Sequence, residues 1–150
     1  MKAPVFLVAS VLAGSLAVLA QAARAQAPDQ GGMPMDTPTT INGIETVCTG
    51  IGFPQRQNPQ WLAYPVRIEF ANTGAQHVSG AHVDLTTTRG QPLASLDCHG
   101  PLVLFRLNPG NYRVTATLFS QPGGTAAATF SAPRTGQRRV VLTFNIGPNQ

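Results

Sequence analysis

Asn108-Pro109-Gly110-Asn111-Tyr112-Arg113-Val114-Thr115-Ala116-Thr117-Leu118 holds a turn and a strand in one run. Proline presets φ at one turn position and glycine tolerates positive φ at the next, so Pro109-Gly110 reverses the chain. Beyond the turn, Tyr112, Val114, Ala116 and Leu118 alternate with Arg113, Thr115 and Thr117. A period of two puts the first set on one face of a strand and the second on the other, which gives one buried and one wet side.

The same pattern recurs in both directions from this run. Val66, Ile68 and Phe70 alternate with Arg67 and Glu69, and Ala81, Val83 and Leu85 alternate with His82, Asp84 and Thr86. Residues 102–107 are apolar on both faces apart from Arg106 and read as a central strand. Residues 125–130, residues 138–145 with Val140, Leu142 and Phe144 facing one way, and residues 43–49 supply the rest. Turn signals such as Asn72-Thr73-Gly74, Arg89-Gly90, His99-Gly100-Pro101 and Thr135-Gly136 separate the runs. Short strands divided by evenly spaced turns predict an all-β protein, an antiparallel Greek-key β-sandwich of about seven strands over residues 41–146. Residues 53–64 break the pattern as a polar, proline-containing loop with room for a short helix and the only tryptophan, Trp61.

Upstream of the sandwich the composition changes twice. Met1 and Lys2 are followed by a run without charge from Ala3 to Ala20, rich in Val, Leu and Ala. That is the layout of a signal peptide, and Ala23-Arg24-Ala25 places small side chains where signal peptidase needs them, so residues 1–25 are expected to be removed after Ala25. The alternative is an uncleaved anchor, since the apolar run approaches the length that spans a bilayer. After cleavage no stable membrane span is expected. Residues 26–40, made of Pro, Gly, Gln, Asp, Met and Thr without apolar periodicity, read as a flexible linker. Within it Met33-Pro34-Met35 offers thioethers to copper(I) but no histidine partner, so no cofactor is assigned there.

Export changes the reading of charge and of cysteine. The formal net charge of +4 includes Lys2 and Arg24; without them eight arginines face six carboxylates, a net charge of about +2. Those arginines are spread along the chain, and nucleic acid is set aside as a partner because it needs a dense basic patch. The two cysteines, Cys48 and Cys98, form no Cys-x-x-Cys pair and match no zinc spacing. In an oxidising compartment an even count favours a disulfide.

Three stretches carry a resemblance: Gly80-Ala81-His82-Val83-Asp84-Leu85, Leu96-Asp97-Cys98-His99-Gly100, and Leu107-Asn108-Pro109-Gly110-Asn111-Tyr112-Arg113-Val114. Together they resemble the carboxypeptidase regulatory-like domains, which have a transthyretin-like (prealbumin-like) sandwich related in architecture to Ig-like ones. Residues 49–52 and 64–67 also look like small exported bacterial proteins of this type. The resemblance spans about residues 64–145. It implies an accessory or binding role without catalytic residues, and it makes residues 96–100 the equivalent of the family's turn.

No catalytic set is assigned. Ser79 and Ser95 lie in no nucleophile-elbow sequence. His82 and Asp84 share a strand face, and the expectation for them is a locally hydrogen-bonded pair rather than a metal site or an active site. The chain is therefore read as a non-enzymatic periplasmic or secreted module whose partner is an envelope protein or glycan. The alternative is a small-molecule or carbohydrate-binding module in which Trp61 and Tyr64 stack on the ligand while Arg56 and Arg67 donate hydrogen bonds. A metal-dependent enzyme is a third reading.

Overall fold

The computed structural model describes residues 32–120 and 124–148. The leader expected over residues 1–25 and the first part of the linker lie outside the described residues. Within them the chain forms nine strands in two sheets. One sheet has the order β1 (Thr39–Ile41), β2 (Ile44–Thr49), β6 (Leu102–Phe105), β3 (Val66–Ala71), β9 (Arg138–Thr143). The other has the order β5 (Pro92–Cys98), β4 (Ala81–Thr87), β7 (Gly110–Leu118), β8 (Thr125–Ala132). The all-β expectation holds, and each of the seven expected runs contains a strand.

The inward faces follow the alternation. Val66, Ile68, Phe70, Val103, Phe105, Val140 and Leu142 of the five-stranded sheet share one core with Val83, Leu85, Val114, Ala116, Leu118 and Phe130 of the four-stranded sheet. Phe70 and Phe144 meet edge to face at 6.2 Å, the arrangement that ring quadrupoles favour. The disulfide joins Cys48 on β2 to Cys98 on β5, so it ties one sheet to the other inside this core.

Three expectations are corrected. Pairing is not antiparallel throughout: β3 and β9 run parallel, with Val66 opposite Arg138 and Ile68 opposite Val140. A parallel pair needs a long connection, and here the whole four-stranded sheet lies between the two strands in sequence. The second correction concerns residues 96–98, which belong to strand β5 and not to a turn. Ala94, Leu96 and Cys98 face the core in alternation with Ser95 and Asp97, and Pro92 is tolerated because it opens an edge strand.

The third correction concerns the linker over residues 32–40. Met33 and Met35 pack against the core, and Met35 Sδ lies 3.3 Å from Cys48 Sγ. The Met33 amide donates to Asp97 O at 2.9 Å, the Asp36 amide donates to Cys48 O at 2.8 Å, and β1 begins at Thr39. Two unbranched thioether side chains supply the burial that the polar composition otherwise lacks. Among the described residues no helix is long and apolar enough to cross a membrane.

Candidate functional site

The outer faces of the two sheets differ. Over the five-stranded sheet the chain folds back as a short helix α1 (Phe53–Arg56) and a 3₁₀ turn (Pro59–Ala63). Pro54 and Pro59 sit at the starts of these turns, where a missing N–H costs nothing, and Asn58 caps the second by accepting from the Gln60 amide. Trp61 is only 3 % exposed and forms a second small core with Val47, Leu104 and Tyr64. Its indole Nε1 donates to Gln55 O at 2.9 Å. Gln137 Nε2 donates to Trp61 O at 2.7 Å and Tyr64 O at 2.9 Å, which fastens the segment to the loop before β9.

The residues named from sequence as ligand contacts therefore have structural partners. Tyr64 Oη donates to Glu45 Oε1 at 2.6 Å, and the Arg106 guanidinium lies 4.7 Å from the centre of its ring. Burial, reinforced by the Glu45 carboxylate, pushes the Tyr64 phenol up to about 12. The same hydrogen bond and the Arg106 contacts hold Glu45 below the ordinary carboxylate range. Arg67 Nε donates to Glu69 Oε1 at 2.6 Å and Nη1 donates to Arg56 O at 3.2 Å, while Arg56 Nη1 donates to Gly50 O at 3.2 Å. Arg56, Trp61, Leu62 and Arg67 do line one open cavity of about 180 Å³, from which Tyr64 is absent. The indole is buried and its N–H is already used, so it offers little surface for a sugar ring to stack on.

Beside the polar Gln57 and Gln60, this segment exposes large apolar side chains. Five large apolar side chains stand exposed among the described residues, and three of them, Ile51, Phe53 and Leu62, belong to it. Phe53 and Leu62 are both 68 % exposed. The buried Trp61 thus anchors turns that carry apolar side chains into solvent.

Among the described residues nothing covers the outer face of the four-stranded sheet, which is largely polar. His82 stands opposite Asp97 on one side and Thr117 on the other, and Asp84 stands opposite Ser95 and Thr115. His82 Nδ1 lies 2.6 Å from Asp97 Oδ1, Ser95 Oγ lies 3.1 Å from His82 Nε2, and Ser95 Oγ donates to Asp84 Oδ1 at 2.8 Å. The hydrogen bond to Asp97 raises the imidazole above its ordinary value, against some desolvation and with help from the Asp84 charge. From sequence only His82 and Asp84 were placed together. Ser95 and Asp97 were missed because β5 was not read as a strand, although Ala94, Leu96 and Cys98 around them carry its period.

A comparison with family models finds no match for this chain, and no curated protein matches it.

Proposed function

We propose that the chain is a non-catalytic module of the cell envelope, periplasmic or secreted, that binds a protein partner through the segment 51–62. The observation that carries this reading is the exposure of Phe53 and Leu62 on turns pinned by the buried Trp61. Apolar anchors held on a rigid support lose little entropy on docking and are the usual centre of a protein interface. Export is supported by the leader layout of residues 1–25 and by the buried disulfide, which belongs to an oxidising compartment.

The strand orders support a Greek-key, transthyretin-like sandwich of the carboxypeptidase regulatory-like type. Hairpins β4–β5 and β7–β8 lie in one sheet, while β3, β6 and β9 lie in the other, so the chain crosses between layers after β3, β5, β6 and β8. In such a domain the role is accessory, which agrees with an interaction surface rather than a reaction centre.

The test is capture of partners from the native envelope with the wild-type chain and with Phe53→Ser/Leu62→Ser. Both side chains are exposed, so the variant is expected to keep the wild-type melting temperature and to lose the captured protein. Equal capture by both chains would defeat the proposal.

A further inference from the structure

The antiparallel register of β4 and β5 sets His82 against Asp97 and Asp84 against Ser95, so four polar side chains share one outward face. Three of their atoms form a closed triangle. His82 Nε2 is 3.1 Å from Ser95 Oγ, Ser95 Oγ is 2.8 Å from Asp84 Oδ1, and Asp84 Oδ1 is 3.4 Å from His82 Nε2. All three carry lone pairs. In the neutral tautomer that carries its proton on Nδ1 toward Asp97, Nε2 is an acceptor, and the one hydroxyl proton of Ser95, which goes to Asp84, then cannot also serve Nε2. Such a triangle is closed either by a proton on Nε2 or by a positive ion above its centre.

The edges fit a metal ion. A triangle with sides of 2.8, 3.1 and 3.4 Å has its corners about 1.8 Å from its centre, so an ion with bonds of roughly 2.1 Å sits about 1 Å outside the plane of the donors. Asp97, on the far ring nitrogen, has the position of the carboxylate that orients a ligating histidine and raises its basicity. The side chains of His82 and Asp84 are 45 % and 50 % exposed, so the remaining coordination positions face solvent. Among the described residues no three His, Cys, Asp or Glu side chains converge as metal ligands. The third donor is a serine hydroxyl, a weaker ligand that makes a labile site. A nitrogen with two oxygens suits a borderline divalent ion such as Zn²⁺ better than Ca²⁺ or a thiophilic ion.

We propose that His82 Nε2, Asp84 Oδ1 and Ser95 Oγ form an open three-donor site for a first-row divalent transition-metal ion, with Asp97 as the positioning residue on the imidazole. The probe is Zn²⁺ added to the disulfide-bonded protein prepared without a histidine tag, followed by calorimetry and by the ¹⁵N resonances of the three imidazoles. One equivalent is expected to bind, and Nε2 of His82 is expected to move while the rings of His77 and His99 do not. His82→Gln and Asp84→Asn should each abolish that binding, Ser95→Ala should weaken it about tenfold, and Asp97→Asn should weaken it about 10- to 100-fold with the Nε2 signature retained. Thermal melts of the metal-free variants establish that each is folded, and the ring resonances of the wild-type protein decide the matter if one is not. Dissociation constants weaker than about 1 mM, binding that persists in His82→Gln, or ligation through Nδ1 would overturn the assignment.

Discussion

Arg67 and Arg139 stand directly opposite each other in the parallel pair β3–β9, and the buried carboxylate of Glu69 binds both. Like charges at facing positions of a sheet repel. Glu69 removes that cost by accepting from Arg67 Nε at 2.6 Å with Oε1 and from Arg139 Nη2 at 2.5 Å with Oε2.

Glu69→Gln is expected to destabilise the fold by about 2 kcal/mol, below the usual loss for a broken buried pair because Arg139 is largely exposed. Urea unfolding measures it, and Glu69→Gln/Arg139→Gln should recover part of the loss by removing the repulsion. Burial pushes the Glu69 carboxyl up, but the hydrogen bonds from Arg139 and Arg67 outweigh it and hold the group below its ordinary value. Its contribution is therefore complete above the unfolded-state value and disappears as pH falls through the lower folded-state value. The variant should show a flatter acid limb than the wild type.

Tyr64 gives the opposite sign at the alkaline end. Its folded-state pKa of about 12 lies above the ordinary phenol value of 10.0, so its contribution is complete below the ordinary value and lost as pH rises toward the folded-state one. A spectrophotometric titration should show a late phenolate transition that is absent from Tyr64→Phe. That variant should lose about 1 kcal/mol, the worth of an ordinary hydrogen bond, because the Glu45 acceptor is partly exposed.

Gly100 is required by space rather than by its backbone angles. A Cβ there would collide with the carbonyl oxygen of Thr49 and stand 2.8 Å from Met35 Cε. The backbone contact cannot be relieved by a rotamer change, so Gly100→Ala should cost about 3 kcal/mol, the upper end for overpacking. Chemical denaturation checks it; a loss under about 1 kcal/mol would mean that the β5–β6 turn yields easily.

The disulfide closes a loop with a sequence separation of 50 between the two sheets. In the chain-entropy treatment this is worth about 4 kcal/mol, and Cys48→Ala/Cys98→Ala should show a loss near that size in urea unfolding. Non-reducing mass spectrometry of the wild type should detect no alkylatable thiol.

Local alternation was enough to find the strands that bury one full face. Val66-Ile68-Phe70, Ala81-Val83-Leu85 and Val114-Ala116-Leu118 declare their inward sides with apolar residues two apart, and the period of two carries that information without any knowledge of the partner. The edge strand β5 was missed because it opens on Pro92 and its stretch Leu96-Asp97-Cys98-His99-Gly100 was matched to the family's turn, although Ala94, Leu96 and Cys98 carry the period of a strand. Residues 32–40 were illegible because their burial rests on Met33 and Met35, whose spacing means nothing until the disulfide region is there to receive them.

The sequence by itself therefore determined the all-β class, the two-faced character of most strands and the two cysteines available for pairing. Only the tertiary structure decided that β3 and β9 run parallel, that Trp61 is buried while Phe53 and Leu62 are not, and that Ser95 and Asp97 meet His82. Periodicity states which way a side chain faces within its own strand. The neighbour it faces is set by register between strands distant in sequence, and that register is chosen by the packing of the whole core.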